Sequence, residues 1–232
     1  MASTPAARDS CPRPGVSSRA RRTAVEPWIA SFVTLLVTVD PLGVAPMFAA
    51  LTAEHTAAER RRMAIRGVAV AAGVLLGFAL CGEVLLGALG IELAAFRIAG
   101  GVLLLLLSID MVMVRHSGLR TTTETEEKES GQRADISVFP LAIPLTAGPG
   151  AMTSVVLLMG EAEGDLGRSA LVLGELALVL LLTLACFLSA GRLMKVLGIT
   201  GVNVVTRVSG ILLAALAVQF VIDGVLTVVR SA

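Results

Sequence analysis

Apolar residues fall in six blocks, each about the length needed to cross roughly 30 Å of hydrocarbon as a helix, which takes about 20 residues. The blocks run over 28–48, 67–89, 94–114, 137–159, 169–190 and 205–229. They contain only seven charged residues: Asp40, Glu83, Arg97, Asp110, Glu175, Arg207 and Asp223. Such a partition predicts an all-α, polytopic membrane protein with six transmembrane helices in a single domain over 25–232. Residues 1–24 are rich in Pro, Ser, Ala and Arg without periodicity, and are expected to be a disordered tail. A cleaved signal peptide is the rival reading, disfavoured because the first block is long and carries Asp40 and two prolines.

The second and fifth of the spans' boundaries matter less than what repeats between them. The first span contains Asp40-Pro41-Leu42-Gly43-Val44-Ala45-Pro46, and the fourth contains Ile143-Pro144-Leu145-Thr146-Ala147-Gly148-Pro149-Gly150. Each has Pro-Leu and a second proline five residues after the first. A further echo links Arg97-Ile98-Ala99-Gly100 in the third span to Arg207-Val208-Ser209-Gly210 in the sixth, with Ile-Asp at Asp110 and Asp223 beyond. Two echoes in matching spans predict a duplication with halves at about 28–114 and 137–229. Three spans per half is an odd number, so the halves enter the bilayer in opposite directions, as an inverted 3+3 repeat with broken helices 1 and 4.

A proline inside a helix removes one hydrogen bond and clashes with the preceding turn. In lipid the freed backbone must find partners in protein or in a wet cavity. Interrupted spans at corresponding positions of two inverted halves point to a midplane substrate site. Asp40 stands about 18 Å into the first span at 1.5 Å per residue, where a carboxylate is costly and functional by default. Its roles are to couple protons, to pair with a cation, or to cap the backbone that Pro41 and Pro46 disrupt. Gly148, Pro149 and Gly150 would offer free N–H and C=O groups to a zwitterion's two ends. Thr146 and Thr153 add hydroxyls. The candidate substrate and ion site is therefore Asp40, Pro41, Gly43, Pro46, Pro144, Thr146, Gly148, Pro149 and Gly150. Arg97, Asp110, Arg207 and Asp223 are candidates for gating or pairing, against the plainer reading that the arginines snorkel to the interface. Glu83 and Glu175 carry a weaker version of the same expectation, and their similar Gly-Glu settings read as chance. Gly73 and Gly77, four apart, are expected to serve helix contact.

These residues resemble the MarC family of six-span bacterial inner-membrane proteins. The resemblance is carried by DPLGVAPMFAALT at 40–52, AERRRMAIR at 58–66, RIAGGVLLL at 97–105 and PLAIPLTAGPGAMTSV at 140–155. It implies a transporter of small polar solutes, with neutral amino acids as the proposed substrate class. The alternative is a passive channel or a regulatory membrane protein that transports nothing.

Composition closes off other classes. With 19 Lys plus Arg against 18 Asp plus Glu, the chain has no basic field to attract nucleic acid. Cys11, Cys81 and Cys186 have no metal-ligand spacing, and His55 and His116 lie in loops without partners, so neither cofactor nor metal is expected. The only enzyme-like pair, Asp110 and Asp223, should stand near opposite faces, so no enzyme is expected. The partners left are the lipid bilayer, a small-molecule substrate and, as an open question, further copies of the chain. Loops one, three and five hold ten Lys and Arg, against Arg168 and Arg230 in loops two, four and the C-terminus. That asymmetry puts those three loops in the cytoplasm and both termini outside. The five arginines of the tail argue in the other direction.

Overall fold

The computed structural model describes residues 27–113, 137–162 and 164–231. The arginine-rich tail and the acidic third loop lie outside the described residues. Every regular element among those described is helical. Helix α1 (Pro27–Val39) is followed by α2 (Pro41–Leu51), then α3 (Ala57–Ala88) and α4 (Leu93–Met113). After the third loop come α5 (Ser137–Thr146), α6 (Pro149–Glu161) and the long α7 (Leu166–Ser231).

Among the described residues, five stretches are long and apolar enough to cross a membrane: Trp28–Leu51, Ala57–Ala88, Leu93–Met113, Leu166–Val196 and Thr200–Arg230. The fourth expected span is instead split into α5 and α6, each too short alone. Two expected loops shrink. The basic stretch Arg60, Arg61 and Arg62 belongs to the first turns of α3, because Thr56 and Glu59 form a reciprocal capping box that starts the helix there. The fifth loop is a kink within α7, where Gly198 takes φ 62° and ψ 179°, a conformation that suits glycine alone. It divides α7 into a first limb, Leu166–Val196, and a second, Thr200–Arg230.

Close approaches through glycine fix how the helices run. Along α4, Gly100 meets Thr153 of α6, and Gly150 of α6 meets Leu104, so these two helices are antiparallel. On the neighbouring face of α4, a Cβ at Gly101 would stand 2.8 Å from the Ala217 carbonyl, and one at Gly224 would stand 3.0 Å from that of Ala94. The second limb of α7 therefore also runs antiparallel to α4, in the most extensive helix pairing of the fold. On α3, Gly67 packs under Leu141 and Gly82 under Val156, so α3 runs parallel to α5 and α6. Lipid offers no hydrophobic drive between helices, and backbone proximity through small residues supplies the contact instead. Gly73 and Gly77 do not take part: a Cβ on either would meet nothing within 4 Å, because that stripe of α3 faces outward.

The main buried cluster joins Leu35, Val39, Val44 and Phe48 to Leu145, Ala147, Val155, Val179 and Phe187. The first span is the innermost: 56% of its most apolar stretch is buried, against 17–39% for the other four.

Candidate functional site

The first helix break centres on Asp40. A residue before proline is pushed out of the right-handed helical region, and Asp40 adopts φ 51° and ψ 64°. Aspartate tolerates this left-handed state better than bulkier residues do. Its amide still donates to the Leu36 carbonyl (2.9 Å), ending α1, and its carbonyl accepts from the Val44 amide (3.1 Å), starting α2. Its carboxylate Oδ1 accepts from the Gly43 amide at 3.1 Å. Asp40 is 3% exposed. Capping, one of the roles read from the sequence, is thus in place, with Pro41 at the first position of α2. A Cβ on residue 43 would collide with the Asp40 carboxylate, which accounts for Gly43. Pro46 does not break the chain: it lies inside α2 and leaves the Leu42 carbonyl without its helical donor. The Cys186 thiol, on the first limb of α7, lies within electrostatic reach of Asp40.

The second break differs in construction. Pro140 and Pro144 cannot donate, and α5 winds as a π-helix. The Ala147 amide donates to the Ala142 carbonyl (2.8 Å) and the Thr146 hydroxyl to that of Leu141 (2.9 Å), both five residues back. Helix α6 then starts at Gly148 with Pro149 in its first turn and no side-chain cap. So the break falls between the two prolines of this motif, just before Pro149, whereas in the first span it precedes the first. Of the residues named here from sequence, Gly150 is buried against Leu104, Thr146 is buried with its hydroxyl committed, and Pro149 is exposed. Val39 and Val44 flank one break, Ala147 and Ala151 the other, and all four share one buried cluster.

A cavity of about 1030 Å³ opens at the end where α1 begins and α6 ends. Ser31, Thr34, Glu161, Arg168, Gln219 and Asp223 supply its polar lining. Ser31, Thr34 and Thr38, at helical spacing i, i+3 and i+7, make a buried polar stripe along α1 from this cavity toward Asp40. Thr34 and Thr38 each donate to a carbonyl one turn back, at 2.8 Å. At the opposite end a pocket of about 220 Å³ lies between Arg60, Arg61 and the stacked rings of Phe48 and Phe187, whose centroids are 4.7 Å apart.

The four gating or pairing candidates do not meet one another. Arg97 bridges to Glu161 of α6 at 2.5 Å, and Asp223 accepts from Gln219 at 2.9 Å. Arg207 is exposed, and Asp110 is half-buried with Oδ2 unpartnered. The sequence reading missed Glu161, Gln219 and the hydroxyl stripe. The stripe was legible as three hydroxyl residues at helical spacing in an apolar span. Glu175 was underrated: it is 9% exposed, whereas Glu83 is exposed.

Taken together, the apolar helices and their glycine-mediated packing define a polytopic, all-helical integral membrane protein. The profile of the MarC family of integral membrane proteins matches residues 25–229, and the chain belongs to that family. It is 38% identical over 199 residues to a UPF0056 membrane protein of Methanocaldococcus jannaschii, covering 85% of this chain and 95% of that one. Against the UPF0056 membrane protein YvbG of Bacillus subtilis the identity is 34%, covering 82% and 90% of the two chains. With YhcE of Escherichia coli it is also 34%, covering 84% and 89%. No solved structure matches the chain.

Proposed function

We propose that this protein is a carrier of small polar solutes in the bacterial inner membrane, with protons as the coupling ion and Asp40 as the coupling residue. Small neutral amino acids are the substrate class that the MarC resemblance implies. The observation that carries the reading is the pair of helix breaks within one buried cluster, the first built around a buried carboxylate. Unwound backbone at membrane depth suits protein that binds a polar solute there.

The reading takes α5 and α6 together as the missing crossing, which makes six spans in two inverted halves. Chain direction supports it: α3 runs with α5 and α6, and α4 runs against both α6 and the second limb of α7. In this arrangement the large cavity faces outside with both termini, and the Arg60 pocket faces the cytoplasm, as the Lys and Arg asymmetry requires.

A carrier is favoured over an open pore because the cavity ends along α1 at Thr34 and the opposite pocket begins at Phe48. Between them Val39, Val44 and Ala45 are buried. An enzymatic role is not part of this reading. Asp110 adjoins Met111, which meets Gly210, and Asp223 adjoins Gly224, which meets Ala94, so the two carboxylates stand at opposite ends of the helix pair.

The test is counterflow of labelled Gly, Ala and Ser into proteoliposomes of the purified protein. Saturable exchange is expected. Folded, oriented protein that exchanges none of them would overturn the substrate class, and leakage without saturation would favour a pore.

A further inference from the structure

Glu175 lies on the first limb of α7, 9% exposed, and no hydrogen bond of good geometry reaches either carboxylate oxygen, the Ser31 hydroxyl alone standing near enough to offer one. An ionised carboxylate with only a hydroxyl beside it costs several kcal/mol in such surroundings and must be neutralised. Beside it stands Ser31 of α1, whose hydroxyl donates to the Trp28 carbonyl at 3.1 Å. Ser31, Leu171 and Val172 line the large cavity, and the last two lie one turn before Glu175, which itself stands behind them.

Among the described residues, no charge on the surrounding elements neutralises it. Helices α1 and α2 carry none. Arg168, two turns back on its own helix, is exposed, as are Cys81 and Glu83 on α3. Arg97 of α4 is bound to Glu161 of α6, and Asp223 of the second limb holds Gln219. Glu175 does not itself line the cavity, so a substrate ammonium or a metal ion held there does not face it, whereas its neighbour Ser31 does line the cavity. A proton can pass through Ser31, because a hydroxyl both accepts and donates.

We propose that Glu175 is a second proton-carrying carboxylate of this protein, loaded from the cavity through the Ser31 hydroxyl. A cavity water gives a proton to Ser31 Oγ while the hydroxyl's own proton turns from the Trp28 carbonyl to a Glu175 oxygen. The carboxylate becomes a neutral acid, the water is left as hydroxide or recharged from solvent, and the reverse sequence releases the proton. Thr34 and Thr38 continue the hydroxyl stripe toward Asp40, nine residues or about 13 Å further along the chain at helical rise. The inference deepens the transport reading, which supplies its purpose but none of its observations.

Infrared pH-difference spectra of the full chain in liposomes test it. A carboxylic acid band that titrates in the wild type and vanishes in Glu175→Gln is expected. In Ser31→Ala the band should form several-fold more slowly after an acid jump. A band untouched by Glu175→Gln overturns the assignment, and loading at the wild-type rate in Ser31→Ala overturns the route. Dicyclohexylcarbodiimide, across whose C=N bond the O–H of a protonated buried carboxyl adds, gives a second reading without any variant. An adduct on Glu175 in acid that falls roughly tenfold per pH unit as the group ionises is expected; an unmodified Glu175 at every pH overturns the proposal. Neither readout uses transport, so a titrating Glu175 in a protein without counterflow would fail the carrier reading alone.

Discussion

Asp40 and Gly43 make each other possible. The Asp40 carboxylate accepts from the Gly43 amide at 3.1 Å, and only hydrogen fits on the glycine α-carbon beneath it. Gly43→Ala should therefore push the carboxylate off its cap and destabilise the fold by about 1–3 kcal/mol, as overpacking does. A wild-type thermal midpoint for this variant in detergent would mean that the carboxylate has room to move.

The capping and coupling roles of Asp40 separate by substitution. Asparagine tolerates the left-handed conformation and keeps a cap acceptor, so Asp40→Asn should insert and fold yet lose proton-driven accumulation. Asp40→Ala forfeits the cap as well, and should lose a further 0.5–2 kcal/mol or so of stability. Full accumulation by a correctly inserted Asp40→Asn protein would refute coupling at this residue.

Glycines on the two faces of the helix bundle should respond oppositely. Gly101 sits on the Ala217 carbonyl of the second limb of α7, so Gly101→Val should cost about 1–3 kcal/mol or more. A Cβ at Gly73 or Gly77 would meet nothing within 4 Å. Alanine at either should be neutral or stabilising by up to about 1 kcal/mol through helix propensity. Chemical denaturation of the three variants in one detergent gives the comparison, and equal losses would point to a partner on the outer face of α3.

The Arg97–Glu161 bridge has partners 16% and 49% exposed. Half-exposed ion pairs contribute little, so a double-mutant cycle with Arg97→Gln and Glu161→Gln should give a coupling below about 1 kcal/mol that shrinks with salt. A larger, salt-insensitive coupling would mark the bridge as a desolvated latch between α4 and α6.

At the start of α7, the amides of Arg168 (3.1 Å) and Gly167 (2.7 Å) hold the Asp165 carboxylate below its ordinary range. A depressed folded value means stability that is complete above the unfolded value of about 3.9 and is lost as pH falls through the folded one. Asp165→Asn keeps an acceptor but cannot titrate, so the acid side of its stability curve should be flatter than the wild type's.

The membrane character and family of this chain were written in its sequence, because apolar run length and local motif are properties of contiguous residues. The break before Pro41 was legible for the same reason: proline acts on its immediate neighbours, and Asp40 had to leave the helical region. What α5 does was not. Whether Pro144 kinks the helix, ends it or widens it to a π-helix depends on which carbonyls the Thr146 hydroxyl and Ala147 amide can reach, and that is decided by packing against α3 and α2. Burial was likewise beyond the sequence. Glu83 and Glu175 stand in the same Gly-Glu context, yet one is exposed and the other lies buried beside Ser31. Only the tertiary structure sorts them, because the cost of a carboxylate is set by what surrounds it, and its surroundings come from helices distant in the chain.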